Sequence, residues 1–259
     1  MKKTVENLII VENRRLTAQH FLLRLTSPHP LPTMHPGQFV EVLVVDSPST
    51  FLRRPISINY FDSANNEIWL LVAAIGEGTR AIVRKQAGET LNCLFPLGNG
   101  FTTDIQSDSN VLLIGGGVGV APIYFLGRRL VENGVKPTFL LGARTASDLL
   151  ERSHFEDTGR VFVTTEDGSD GQRGFVTNHS ILSEKSFDII YTCGPSPMMK
   201  AVATYARNNN IRCEVSLENM MACGLGACLC CVEKTVEGNL CVCKDGPVFD
   251  TRMLLWNEK

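Results

Sequence analysis

The apolar residues of this chain follow two different rhythms, and the change falls near Asn110. Before it, short runs rich in β-branched and aromatic residues recur at close spacing: 21–25 (FLLRL), 37–45 (GQFVEVLVV), 54–61 (RPISINYF) and 67–75 (EIWLLVAAI). Stretches rich in Pro, Gly, Ser and Asn, such as SPHPLPTMHPG and DSANNE, separate them. Short strands set this close predict a small antiparallel β-barrel or sandwich. After residue 110, strand-like runs at 111–115, 138–143, 160–167, 188–194 and 213–218 alternate with helical stretches at 121–132, 146–156 and 196–210. Parallel neighbours need a crossover, so this alternation predicts a doubly wound parallel sheet. The final segment follows neither rhythm. The expected fold class is therefore a β-barrel plus α/β: a barrel domain over 1–103, a parallel-sheet domain over 104–217 and a cysteine-rich subdomain over 218–259.

Composition narrows the partners. With 25 Lys and Arg against 27 Asp and Glu, nothing global points to nucleic acid or to an anionic membrane. At 259 residues and 44% apolar, the chain can bury a core without disulfides. The start, MKKTVENLII, has no uninterrupted apolar stretch, because Glu6 and Asn7 break it, so a secretory leader is not expected. The longest uncharged run, 111–127, holds five glycines and a proline and reads as strand, turn and helix start rather than a membrane span. The nine cysteines are an odd number, and six of them crowd between Cys223 and Cys243. A reduced, cytoplasmic protein with a metal or cluster site fits that usage better than a disulfide scaffold.

The crowded segment reads Cys223-G-L-G-A-Cys228-L-C-Cys231, then eleven residues, then Cys243. C-x4-C-x2-C…C is the spacing of plant-type [2Fe–2S] sites. Gly224 and Gly226 let the loop take positive φ and turn its N–H groups toward the sulfurs. Two further cysteines, Cys230 and Cys241, leave the choice of four open, and four thiolates would also suit zinc. Upstream, Gly117-V-Gly119-V-A-Pro122 follows an apolar strand. It lacks the last glycine of a dinucleotide fingerprint, and Arg144 stands where a ribose-binding carboxylate is usual. Glycines before a proline at the first helical position still let a pyrophosphate approach the helix N-terminus. The same residues also suit a plain tight turn. Cys193-Gly194-Pro195 ends another strand, at the edge where open α/β sheets bind ligands, although it also reads as an ordinary helix start. In the barrel region, Arg54 of Arg53-Arg54-Pro55-Ile56-Ser57 could hold a pyrophosphate bidentately. Gly78-Thr79 would lie at a helix N-terminus, a second anion-binding feature. Taken singly, the arginines could be a solvated strand edge and Thr79 a common cap. One anion could use both.

These motifs, in this order, resemble the ferredoxin reductase superfamily. The resemblance implies a ferredoxin-reductase-like FAD-binding antiparallel barrel, then an NAD-binding parallel sheet. Arg54, Pro55, Ile56 and Ser57 match its R-x-Y-S flavin segment, with Ile56 where many members carry a stacking Tyr. Gly78 and Thr79 match its phosphate-binding helix start; Leu71, Val72 and Ala73 match a strand lining the flavin. Gly117, Gly119 and Pro122, with Cys193, Gly194 and Pro195, match its nicotinamide-nucleotide segments. The tail SLENMMACGLGACLCCVE…VCKDGPVF is similar to the [2Fe–2S]-bearing subgroup formed by the electron-transfer subunits of class B dihydroorotate dehydrogenases. That pattern, C-x4-C-x2-C…C-x-D-G-P, implies Cys223, Cys228, Cys231 and Cys243 as ligands and leaves Cys230 and Cys241 as bystanders.

The resemblance further implies a heterotetramer of two such chains with two FMN-containing catalytic subunits that oxidise dihydroorotate to orotate for pyrimidine (UMP) biosynthesis. Electrons would pass from FMN through the cluster and FAD to NAD+, with NADH favoured over NADPH. No acid–base dyad is found, so no catalytic residue is expected in this chain. Two other readings remain open from sequence. A related flavin/[2Fe–2S] subunit of a ferredoxin:NADP oxidoreductase or sulfide dehydrogenase complex would use the same motifs. A non-enzymatic, zinc-stabilised interaction module would use the cysteines alone.

Overall fold

The computed structural model describes residues 2–45 and 47–256. Met1, Asp46 and 257–259, at or within the expected first and third segments, lie outside the described residues. Six antiparallel strands close into a barrel: β1 (Thr4–Arg15), β2 (His20–Thr26), β3 (Phe39–Val42), β4 (Arg54–Asp62), β5 (Glu67–Ala73) and β6 (Thr90–Leu97). Their spatial order is β1-β2-β5-β4-β3-β6. β1 and β6 escape the apolar-run criterion because polar residues punctuate them. Leu8 and Ile10 of β1 point into the barrel while Glu6 and Asn7 flank the inward stripe. β3 is shorter than the run 37–45, since its ladder to β4 ends at Val42. A helix, α1 (Glu77–Arg84), follows β5 and lays Ala81, Ile82 and Val83 on the barrel core.

The second half alternates as its rhythm predicts: β7 (Val111–Gly116), α2 (Val120–Glu132), β8 (Thr138–Ala143), α3 (Arg152–Glu156), β9 (Arg160–Thr165), β10 (Gln172–Arg173), α4 (Ile181–Glu184), β11 (Ile189–Cys193), α5 (Ser196–Asn208) and β12 (Arg212–Ser216). Two expectations need correction. The stretch 146–156 is not one helix: a 3-10 turn at Ala146–Asp148 is followed by extended chain, and Glu151 adopts φ +52 before α3 begins. That left-handed residue is incompatible with a continuous right-handed helix. Pro122 is the third residue of α2 rather than the first, because a 3-10 turn at Gly117–Gly119 leads directly into the helix. Its missing N–H is still harmless there, since first-turn amides have no intrahelical acceptor.

The tail forms a hairpin, β13 (Val232–Thr235) and β14 (Gly238–Cys241), and then β15 (Val248–Asp250). β15 joins the sheet antiparallel to β12, giving the order β10-β9-β8-β7-β11-β12-β15. The chain moves outward from β7 to β10, then returns to the other side of β7 at β11. This reversal puts a crevice at the carboxyl ends of β7 and β11, where Cys193 is opposite Gly115. Helix α2 is apolar around most of its circumference and is buried between barrel and sheet: Phe125 enters the barrel core while Ile123, Leu126 and Leu130 pack under the sheet. Among the described residues, no helix is long and apolar enough to cross a membrane.

α2 crosses β8 so closely that a Cβ on Gly127 would lie 2.4 Å from Cζ of Phe139. Gly127→Ala should therefore destabilise the fold by about 1–3 kcal/mol despite alanine's better helix propensity. Denaturant unfolding of the variant and the parent checks this.

Candidate functional site

Three cradles lie along the chain, one on the barrel, one on the sheet and one in the tail. The first lies on the barrel. The Arg54 guanidinium donates to the backbone carbonyls of Leu52 and Arg53 at 2.9 and 3.2 Å, and it has no ion pair among the described residues. It lies against the first turn of α1: a Cβ on Gly78 would come 2.9 Å from Arg54 Nε and 3.0 Å from Thr50 Cγ2. Only glycine admits the cation so near to the helix start. The Thr79 hydroxyl accepts from the Gly76 N–H at 3.1 Å and steadies that turn. A guanidinium and the positive end of a helix thus meet, an arrangement suited to a bound phosphate group. Ile56 turns inward and is buried in the barrel core, whereas Pro55 and Ser57 face outward. Leu71 packs beneath the sheet domain and Val72 packs inside the barrel, so β5 runs along the seam between the two halves. Arg53, one residue from Arg54, is not a solvated edge: it donates to the carbonyls of Glu41 and Asn92, both at 3.1 Å, and to Asn92 Oδ1 at 2.6 Å.

The second cradle is the crevice between β7 and β11. Its glycines are required by contact. A Cβ on Gly119 would strike the Cys193 carbonyl carbon and oxygen and Gly194 Cα, each at 2.5 Å, and one on Gly116 would meet Met198 Sδ at 2.7 Å. The two loops can lie this near only without side chains. Gly117 differs, with φ +55 and nothing within 4 Å of a Cβ position, so it opens on free space at the mouth of the crevice. Cys193 lies beneath, and burial pushes its thiol up to about 12. Burial does the same to Cys93 and Cys213, which sit in the barrel and sheet cores as small apolar residues.

The third cradle is the tail loop. Gly224 and Gly226 take φ +66 and +80, and the chain wraps back on its sulfurs. The Leu225 N–H donates to Cys223 Sγ at 3.3 Å, the Gly226 N–H to Cys243 Sγ at 3.1 Å and the Cys243 N–H to Cys231 Sγ at 3.3 Å. The Leu225 amide foremost, with those of Cys228 and Ala227, draws the Cys223 thiol down to about 6. Cys228 hydrogen-bonds Cys223, and Cys231 hydrogen-bonds Cys243, so the four stand as two neighbouring pairs. Burial, helped by the bond to Cys231, pushes Cys243 up to about 12. Among the described residues, no three metal-ligating side chains gather tightly enough to hold a single ion. Amides aimed at paired sulfurs suit a cluster of two irons, each taking two thiolates. Cys230 is exposed, and Cys241 is buried with its Sγ 4.0 Å from the Gly226 carbonyl.

The cysteine loop is tied to the barrel by residues that carry no motif. Asn99 Nδ2 donates to the carbonyls of Lys244 and Asp245 at 3.1 and 3.0 Å, and its N–H donates to Gly246 O at 2.6 Å. Asp245 accepts from the Cys241 N–H at 2.7 Å. Glu41 of β3 is wholly buried beneath the loop; burial, opposed by Arg53, pushes its carboxyl up to about 7. Its signal in the sequence is a single acid inside the apolar run GQFVEVLVV.

Residues 218–255 match the family described as the iron-sulfur cluster binding domain of dihydroorotate dehydrogenase B, and residues 113–204 match the oxidoreductase NAD-binding domain. Fold and site together define an electron-transferring oxidoreductase subunit built on a ferredoxin-reductase-like frame. The dihydroorotate dehydrogenase B (NAD(+)) electron transfer subunit of Shouchella clausii is 40% identical over 256 residues, covering 96% of this chain and 97% of its own. That of Lysinibacillus sphaericus is 39% identical over 249 residues, covering 94% and 96%. The chain belongs to this family of electron transfer subunits. Among solved structures, an NADH-dependent reduced ferredoxin-NADP oxidoreductase superposes with TM-score 0.87 at 30% identity, over 96% of this chain and 90% of that one. The ferredoxin reductase of carbazole 1,9a-dioxygenase shares the fold, at TM-score 0.69 and 19% identity over 82% of this chain and 67% of that one.

In cluster-free, folded protein an alkylating reagent at mildly alkaline pH should label the half-exposed Cys223, whose thiol is drawn down, and the exposed Cys228 and Cys230. It should leave Cys93, Cys193 and Cys213 unmodified, because burial denies them both access and the thiolate form. Peptide mapping by mass spectrometry reads the pattern.

Proposed function

We propose that this chain relays electrons between NAD(H) and an FMN-containing catalytic subunit that oxidises dihydroorotate in pyrimidine biosynthesis, the two forming a heterotetramer in the cytoplasm. The observation that carries the reading is the junction of three cradles on one chain. In this reading FAD is held by Arg54, Pro55, Ile56, Ser57, Leu71, Val72, Ala73, Gly78 and Thr79. NAD(H) is held by Gly117, Gly119, Pro122, Cys193, Gly194 and Pro195. The [2Fe–2S] cluster is held by Cys223, Cys228, Cys231 and Cys243. When bound, these groups supply hydride exchange with nicotinamide on one side and single-electron exchange on the other.

The chain's own work is binding, orientation and insulation. Arg54 and the first turn of α1 neutralise the flavin's pyrophosphate. Ile56 is turned inward, so Pro55 and Ser57 offer their outward face and the backbone of β4 to the flavin. The close Gly119–Cys193 contact would hold the two loops together, and Gly117, with nothing within 4 Å of a Cβ position, would leave room for the dinucleotide at the mouth of the crevice. The tail amides stabilise thiolate charge on the cluster ligands. Met220, three residues before Cys223, and Leu229, directly after Cys228, are 83% and 63% exposed, and a partner subunit covering them would bring its cofactor near the cluster. Preference for NADH is supported by Glu166 and Asp167, whose N–H groups bond the carbonyls of Ala143 and Arg144 at 3.1 and 3.3 Å. Acidic residues beside the end of β8 would disfavour a 2′-phosphate there.

Serine at Cys223, Cys228, Cys231 or Cys243 should abolish the cluster, whereas serine at Cys230 or Cys241 should leave iron content unchanged. Cluster loss in C241S with retention in C243S would overturn the ligand choice. Arg54→Ala should weaken FAD binding about 10- to 100-fold, the equivalent of one charge-assisted hydrogen-bond pair, with iron content intact. Co-expression with an FMN-containing dihydroorotate-oxidising subunit should yield a complex that reduces NAD+ on addition of dihydroorotate. A colourless, zinc-loaded protein would refute the assignment.

A further inference from the structure

Glu41 is an acid in an apolar strand, 0% exposed, and neither of its carboxylate oxygens has a hydrogen-bond partner. A buried carboxyl left in this state is costly, so its retention needs a local reason. A salt bridge is not that reason. Arg53 is near, but its guanidinium is spent on the carbonyls of Glu41 and Asn92 and on Asn92 Oδ1.

The side chain instead abuts the cysteine loop. A Cβ on Gly224 would lie 2.8 Å from Glu41 Cγ and 3.2 Å from Glu41 Oε1. Gly224, at φ +66, is the residue immediately after Cys223. On its other side, the backbone of Glu41 pairs with Pro55 in the β3–β4 ladder, within the Arg54-Pro55-Ile56-Ser57 segment. Glu41 therefore touches the turn that carries Cys223 while its strand is hydrogen-bonded to the strand that carries Arg54.

We propose that Glu41 is a positioning residue. Its side chain is the floor on which the Gly224 turn rests, and it sets where Cys223 stands relative to the flavin-binding strand. The requirement for glycine at position 224 is the other half of the same contact. This inference rests on the assignment of residues 223–231 to the cluster loop.

The test uses the full-length chain, purified anaerobically with its cofactors, and three substitutions. Glu41→Ala removes the floor, Glu41→Gln keeps its shape, and Gly224→Ala pushes a methyl group into it. Iron release to a chelator is followed by absorbance, the cluster environment by visible circular dichroism, and FAD content after denaturation. E41A should release iron about tenfold faster or more and alter the cluster's dichroism, with FAD content unchanged. E41Q should restore both readouts to within about twofold of the parent. G224A should be less damaging in the E41A background than alone, because the colliding side chain is gone, a coupling of about fivefold by double-mutant cycle.

Parental iron release and dichroism in E41A would overturn the proposal. So would proportionate loss of FAD and iron, which marks a general packing defect, or an E41Q as damaging as E41A. A parent chain that binds no iron would instead defeat the underlying cluster assignment, so the two failures are distinguishable.

Discussion

The wedge of α2 between barrel and sheet is the contact on which the rest of the arrangement depends. The helix buries Phe125 in the barrel and Ile123, Leu126 and Leu130 under the sheet, and Gly127 lets it press against Phe139. An amphipathic surface helix has a free face; this one has almost none, so its position is determined from both sides. Its first turn begins at Gly119, in contact with Cys193 and Gly194. Docking the helix therefore also places the crevice at the carboxyl ends of β7 and β11 against the β5 seam, where Leu71 packs. Two domains that could have been independent share this one buried element, which packs on both.

The tail uses the same logic at a smaller scale. It is too short to bury a core of its own, so it borrows one: Phe39 and Leu97 of the barrel, Val215 and Met199 of the sheet domain, and its own Cys231, Val242, Cys243 and Phe249 form one cluster. Asn99 secures the turn after Cys243, and β15 extends the sheet edge. The sulfurs are consequently held by contacts from both halves of the protein, while the portion of the loop around Cys228 and Leu229 stays exposed. Spending so much of a small tail on anchorage suits a relay, because electron exchange depends on distance and the protein's contribution is to hold it.

Much of this was legible from residues alone. The change of rhythm at Asn110 separates barrel from sheet because apolar periodicity is a direct record of which face of an element is buried. The cysteine spacing and the two glycines between Cys223 and Cys228 announced a loop wrapped on its own sulfurs. What escaped were elements whose pattern is diluted by polar residues. β1 and β6 hide behind Glu6, Asn7 and Asn92, and the left-handed Glu151 broke what composition alone made look like a helix. Asn99, Arg53 and Glu41 have no motif at all, since each acts on a segment far from it in sequence.

By itself, then, the sequence determined the class of fold, the order of its parts, the family and the crowding of six cysteines in one glycine-containing loop region. All of these follow from local periodicity and from spacing along the chain. The tertiary structure alone decided that Ile56 faces into the barrel, that Pro122 stands third in its helix, that Asn99 grips the last cysteine turn and that a buried glutamate supports the first. Most of those outcomes depend on which surfaces meet between segments far apart along the chain, and burial between distant segments leaves no period in the sequence to read.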